Sequence, residues 1–192
     1  MSLAELQRKI EQRQAAIGVI GLGYVGLPVA CMFAGAGFYV CGVDIRKDCV
    51  KSINAGLNPI TGEEPGLAEL LAQVVGMGRL RATTDYGDLA QADVVLIDVE
   101  TPVNDRHQPE YAALEAACRS LGAVMHRGML VIVESTVAPG TISGLVCPLL
   151  EKTSGLRVNT DFYLGACPER VMSGKLLANM KAVGRVCGGN TP

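Results

Sequence analysis

Residues 17–26 read Ile17-Gly18-Val19-Ile20-Gly21-Leu22-Gly23-Tyr24-Val25-Gly26, an apolar block running into Gly-x-Gly-x-x-Gly. β-Branched Ile17, Val19 and Ile20 favour a strand buried on both faces, and the glycines then punctuate a turn that opens a helix. Gly21 permits the tight turn, Gly23 lets an anionic group approach the backbone, and Gly26 lets helix and strand pack closely. The free N–H groups at the start of that helix, at its positive end, suit a pyrophosphate.

The glycine pattern alone is weak, because glycines also shape ordinary strand-to-helix turns. Its context strengthens it. Asp44 closes the next predicted strand, where a carboxylate accepts hydrogen bonds from an adenosine ribose. A negative charge there repels a 2′-phosphate, so NAD is favoured as cofactor. Nearby Arg46 is a further cofactor-contact candidate and leaves NADP as the lesser alternative.

Outward from the motif, no residue between Ala15 and Val43 is charged, and Arg8, Lys9 and Arg13 precede the run. Hydropathy alone suggests a membrane helix or signal peptide there. Gly18, Gly21, Gly23, Gly26, Gly35, Gly37, Gly42 and Pro28 break the run into short blocks, so strand, loop, helix, strand is the better parse. No membrane association is expected.

Leu3, Leu6 and Ile10 on a charged background predict a short amphipathic helix within residues 1–16. Strands are predicted at 17–21, 39–44, 80–83, 94–98, 129–133 and, last, 162–166; helices at 24–36, 46–55, 67–75, 111–125 and 140–152. This alternation implies an α/β, Rossmann-type doubly wound, mostly parallel sheet flanked by helices on both faces. Residues 1–16 are expected to be a helical extension and 17–192 one NAD-binding domain.

Composition narrows the function classes. The 192 residues suit one domain, and 17 basic against 19 acidic residues give a net charge of −2, which argues against a nucleic-acid partner. Seven cysteines at unpaired spacings and two histidines argue against a disulfide framework and a zinc site. Reduced thiols in a cytoplasmic protein are expected, with no metal. His107 and His126 sit in no catalytic pattern, and solvated surface is the default for both.

The stretch Gly21–Pro28, GLGYVGLP, resembles the opening motif of the UDP-glucose/GDP-mannose dehydrogenase family. The likeness continues in order through INAGLNPI (53–60), EPGLAELL (64–71), GRLRATTDY (78–86), ADVVLIDV (92–99), ESTVAPGT (134–141), CPERV (167–171) and Gly188-Gly189. The resemblance implies an NAD-dependent nucleotide-sugar 6-dehydrogenase that oxidises a sugar C6 hydroxyl to a carboxylate. Cys167-Pro168-Glu169-Arg170-Val171 followed by GKLL is similar to the UDP-N-acetylmannosamine branch, and the UDP-N-acetylglucosamine branch shares the E-S-T and P-E-R-V elements; UDP-glucose enzymes usually carry N-P-E-F at the Cys167–Arg170 positions. A UDP-N-acetylhexosamine, with UDP-N-acetylmannosamine first, is therefore the expected substrate, and its product a surface-polysaccharide precursor.

The resemblance also assigns roles. Tyr24 and Val25 would contact the dinucleotide at the helix N-terminus, and Thr101-Pro102 match a cofactor-contacting turn. Ser135-Thr136 would lie near the nicotinamide, with Thr136 helping to hold a catalytic water. Glu169 matches the carboxylate that serves the water-dependent step, and Arg170 and Val171 match substrate contacts. For Thr136 the alternative is a helix cap, and for Glu169 a surface salt bridge.

Glu100, Cys49 and Ser173 depart from the family pattern, and the first two are expected to weaken NAD binding. The family completes its second oxidation with a cysteine thiolate in a G-G-x-C-x-P-K-D-like motif, aided by a lysine on a central helix. Neither has a counterpart among residues 1–192, and Cys167 fits the branch pattern rather than that of the nucleophile. The expectation is a cofactor-binding domain inactive by itself, lacking the central helix and sugar-binding domain of a homodimeric whole. The alternatives are a UDP-glucose 6-dehydrogenase domain, a standalone NAD-binding sensor and another Rossmann oxidoreductase.

Overall fold

The computed structural model describes residues 1–62, 64–169 and 174–189. Along the chain come helix α1 (Leu3–Glu11), strand β1 (Ala16–Ile20), α2 (Gly26–Gly35), β2 (Tyr39–Val43), α3 (Lys47–Asn54), α4 (Leu67–Gly76) and β3 (Leu80–Thr83). Then follow β4 (Val94–Ile97), α5 (Ala112–Gly122), β5 (Leu130–Val133), α6 (Cys147–Ser154), β6 (Tyr163–Ala166), α7 (Leu176–Ala182) and β7 (Gly188–Gly189). The strands form one sheet in the order β3-β2-β1-β4-β5-β6-β7, parallel except for the β6–β7 pair. This is the doubly wound Rossmann-type fold that the alternation predicts.

The order reverses between β1 and β4, whose register runs from Ile17↔Val94 to Ile20↔Ile97. At such a switch point the connections leave towards opposite faces and open a crevice beyond the carboxyl ends of the strands. Both strands are covered on two sides, which is why each is an unbroken apolar run. One core lies between the sheet and α2 and α4, built on Val19, Leu27, Leu71 and Leu96. The other lies towards α5 and α6, built on Ile20, Val95, Leu121 and Leu150.

Helix α1 starts at a Ser2 cap that accepts the Glu5 N–H at 3.3 Å. Of its three predicted apolar positions only Leu6 is fully buried; Leu3 is 58% exposed and Ile10 37%. Lys9 anchors the helix instead, its ammonium 2.5 Å from both oxygens of buried Asp93, which also accepts the Ala16 N–H that begins β1.

Two departures from the predicted elements have physical causes. The helix predicted over 140–152 is a π turn (Ile142–Val146) followed by α6, because Pro148 lacks the N–H that an unbroken α ladder needs. The strand predicted as last is followed by α7 and by the antiparallel two-residue β7, whose Gly-Gly sequence carries no period-2 signal. His126 is only partly exposed, with both ring nitrogens near backbone carbonyls, Nε2 3.1 Å from Ala92 O and Nδ1 3.0 Å from Arg127 O. Among the described residues no helix is long and apolar enough to cross a membrane.

Candidate cofactor site

The glycine loop leaves β1 at Gly21, whose N–H donates to Val43 O at 2.8 Å and whose φ is +91°. A Cβ there would lie 2.6 Å from the Asp98 carbonyl oxygen, so the loop passes directly against the end of β4. At Gly26 a Cβ would lie 1.9 Å from Gly21 O, closer than any side chain tolerates. At Gly23 a Cβ would meet nothing within 4 Å, because this residue faces an open cleft. Val25 gives α2 no side-chain cap, which leaves the helix N-terminus to a ligand.

The cleft holds about 730 Å³ and is lined by the loop, by Asp44 and Arg46 after β2, by Asp98 and Thr101 after β4, and by Ser135, Thr136 and Glu169. That volume is of cofactor size. Asp44 is 8% exposed and already accepts the Leu22 N–H, the Arg46 N–H, both at 2.9 Å, and Arg46 Nε at 3.3 Å. Each carboxylate oxygen keeps lone pairs for a ribose hydroxyl. The Arg46 guanidinium is turned back on Asp44 and reaches Cys49 Sγ at 3.4 Å; hydrogen bonding to Asp44 raises its pKa further. Cys49 is 2% exposed, with its thiol directed at Leu22 O beneath the loop.

The other sequence-predicted residues divide between the cleft and its supports. Tyr24 lines the cleft, but its hydroxyl donates to Glu64 Oε2 at 2.9 Å and accepts the Gly174 N–H at 3.0 Å. Buried Glu64 also takes the Leu176 and Leu177 N–H groups at the start of α7. Val25 lines the cleft at the head of α2. Thr101 Oγ1 donates to Thr136 O at 2.7 Å, tying the loops after β4 and β5 together. The Pro102 carbonyl accepts the Glu110 N–H at 2.8 Å. Ser135 is buried and donates to Val99 O at 2.7 Å, whereas Thr136 is exposed at the cleft mouth and caps no helix. Arg170 and Val171 lie outside the described residues.

Three residues with no role assigned from the sequence meet beneath this cleft. Asp98 ends β4, Glu134 follows β5, and Arg185 approaches from the chain before β7. Arg185 donates to Glu134 Oε1 at 2.5 Å and to Cys167 O at 2.8 Å, and lies 3.2 Å from Glu169 Oε2. The Asp98 oxygens find no N–H or hydroxyl donor among the described residues; they face the Glu134 carboxyl. Two carboxyls in contact need a proton between them. Burial pushes Asp98 well above the usual carboxylate range, and the Glu134 charge adds to it. Burial raises Glu134 as well, against the opposing pull of Arg185. The only sequence signal was a charged residue at the end of an apolar strand.

Residues 15–192 match the profile described as "UDP-glucose/GDP-mannose dehydrogenase family, NAD binding domain". UDP-N-acetyl-D-mannosamine dehydrogenase of Pyrococcus horikoshii is 43% identical, over 90% of this chain and 40% of its own length. UDP-N-acetyl-D-glucosamine 6-dehydrogenase of Pseudomonas aeruginosa is 37% identical, over 92% of this chain and 40% of its own. The crystal structure of NDP-N-acetyl-D-galactosaminuronic acid dehydrogenase from Methanosarcina mazei superposes with a TM-score of 0.88 at 38% identity, over 98% of this chain and 42% of that one. The chain thus spans about two fifths of the length of the relatives it matches.

Proposed function

Because the chain belongs to the UDP-glucose/GDP-mannose dehydrogenase family and matches its NAD binding domain, we propose that it is the cofactor-holding part of a UDP-N-acetylhexosamine 6-dehydrogenase. UDP-N-acetylmannosamine is the substrate favoured by Cys167-Pro168-Glu169-Arg170-Val171 followed by GKLL and by the Pyrococcus relative. On this reading the full-length protein is a cytoplasmic homodimer, residues 17–192 are the NAD-binding domain after a helical extension, and the uronate product feeds surface-polysaccharide synthesis. The observation that carries the proposal is the open face of Gly23 beside the uncapped head of α2, with Asp44 at the rim of the same cleft.

The residues fit NAD. The glycine loop and the N-terminus of α2 would hold the pyrophosphate, and Asp44 the adenosine ribose. Arg46 lines the same rim of the cleft, with its guanidinium turned to the Asp44 carboxylate. Bound NAD supplies the hydride acceptor. Glu169 would hold the water for the second step, with Thr136 at the mouth of the cleft assisting. The Arg185 guanidinium lies 3.2 Å from the Glu169 carboxylate. Arg170 and Val171 would contact the sugar nucleotide, and Thr101, Pro102 and Ser135 would shape the turn and wall around the nicotinamide.

The second oxidation needs a thiolate to capture the aldehyde, and the family's motif for it does not occur in residues 1–192. The chain alone would therefore bind NAD without completing the reaction. Titration calorimetry tests the cofactor assignment: Asp44→Ala should weaken NAD binding by about tenfold to a hundredfold, the worth of charge-assisted hydrogen bonds. Asp44→Asn, which keeps an acceptor for the Leu22 N–H, controls for folding. Unchanged affinity in Asp44→Ala refutes the ribose contact, and steady NADH production from UDP-sugars by this chain refutes the division of labour.

A further inference from the structure

The Sγ atoms of Cys167 and Cys187 lie 3.0 Å apart, although 20 positions separate the residues in sequence. The β6–β7 ladder brings them together. Its pairs are Gly165↔Gly189 and Ala166↔Gly188, so the next step sets Cys167 opposite Cys187. Two residues further along each chain, Glu169 stands opposite Arg185, and their side chains meet at 3.2 Å. Directly opposed antiparallel residues have Cα atoms about 4.5 or 5.5 Å apart, within the span of about 4.4–6.8 Å that a disulfide bridges.

The two thiols differ in access. Cys167 is buried and Cys187 exposed. The chain that carries Cys187 is also weakly held: β7 is two exposed glycines, with no side chains to pack, and Val186 beside it is 67% exposed. Side-chain contacts that tie it to β6 and β5 include Arg185, bonded to Glu134 and the Cys167 carbonyl, and the thiol contact itself.

We propose that Cys167 and Cys187 form a reversible thiol–disulfide site that clips residues 184–189, and with them Arg185, against β6. The co-reactant is a small disulfide such as oxidised glutathione. The exposed Cys187, as thiolate, attacks one sulfur of the small disulfide and expels a thiolate, leaving a mixed disulfide on Cys187. Cys167 then gives its proton to solvent and attacks the Cys187 sulfur, and the second small thiolate leaves. Two protein thiols are oxidised, and one small disulfide is reduced to two thiols. Burial pushes the Cys167 thiol up to about 12, which makes Cys187 the entry point and Cys167 the resolving group. The pair requires no bound cofactor, so its test is separate from that of the NAD site.

The test is incubation of the chain with oxidised glutathione, followed by thiol titration in denaturant, mass analysis and amide exchange. The seven titratable thiols should fall to five, with the mass lower by two hydrogens and the Cys167 and Cys187 peptides joined. Cys187→Ser should keep all its remaining thiols. Amides of 184–189 should exchange about tenfold more slowly in the oxidised chain. Seven thiols after treatment, a mixed disulfide persisting on Cys187, or a crosslink elsewhere overturns the site. A Cys167–Cys187 crosslink with unchanged exchange at 184–189 overturns the clip.

Discussion

Asp98, at the end of β4, faces Glu134, at the end of β5, and the two buried carboxyls share one environment with the single guanidinium of Arg185. Neighbouring parallel strands place their C-terminal residues side by side, so adjacent acidic residues there repel unless a proton or a cation intervenes. Here both do. Arg185 bonds Glu134, and burial together with the Glu134 charge pushes Asp98 towards its protonated form.

That arrangement predicts a pH dependence of stability. A carboxyl whose folded pKa lies above its unfolded value keeps a proton that the unfolded chain has released. Its contribution is therefore complete below about pH 4, and stability falls as pH rises through the folded value. Asp98→Asn removes the titration while keeping a neutral group of the same shape. Relative to the unsubstituted chain, the variant should gain stability as pH rises above about 4 in urea unfolding. A difference independent of pH would show that Asp98 is ionised in the fold.

Arg185→Ala should act in the opposite sense. Removing the cation leaves the buried Glu134 carboxylate beside Asp98 without its guanidinium partner, at a cost of about 2–4 kcal/mol given that Arg185 remains partly exposed. Protonation relieves the repulsion, so the loss should be larger at pH 8 than at pH 5. Equal losses at both values in denaturant titrations would make Arg185 a packing residue only.

These residues also mark where the sequence stops being informative. The β1 turn was legible because Gly-x-Gly-x-x-Gly lies between a β-branched run and a helix, and Asp44 because it closes the next apolar strand. Both are local patterns. Arg185 and Cys187 gain their meaning from β7, whose two glycines carry no hydrophobic period, and from antiparallel pairing with a strand about twenty residues earlier. Cys49 read as a departure near the ribose, yet it is buried under the loop against Leu22 O. Tyr24 read as a ligand contact and lines the cleft, while its hydroxyl partners, Glu64 and Gly174, are remote in sequence and carry no local signal.

Tyr24→Phe separates those two roles. The hydroxyl bridges Glu64 to the Gly174 N–H, so its loss should cost about 1 kcal/mol of stability. Because the hydroxyl is directed to those partners, NAD affinity should change less than about twofold, well under 1 kcal/mol. A tenfold weaker Kd in calorimetry would mean that the ring turns over to meet the cofactor.

The glycines of the loop give the sharpest contrast, because identical chemistry has opposite consequences at two nearby positions. A methyl at Gly26 would sit 1.9 Å from the Gly21 carbonyl oxygen and 3.0 Å from Asp98 Cβ, so the start of α2 must move away from β1 and β4. Backbone offers no rotamer to relieve such a clash, and Gly26→Ala should destabilise the fold by about 3 kcal/mol or more. At Gly23 the same methyl meets no atom within 4 Å and points into the cleft. Gly23→Ala should therefore keep stability within about 1 kcal/mol, since its backbone is not in the left-handed region. It should nevertheless weaken NAD binding by at least about tenfold, because the pyrophosphate can no longer approach the main chain. Urea unfolding and calorimetry on both variants read the two effects separately. Undiminished NAD affinity in Gly23→Ala would move the pyrophosphate away from this loop, and with it the reading of the cleft.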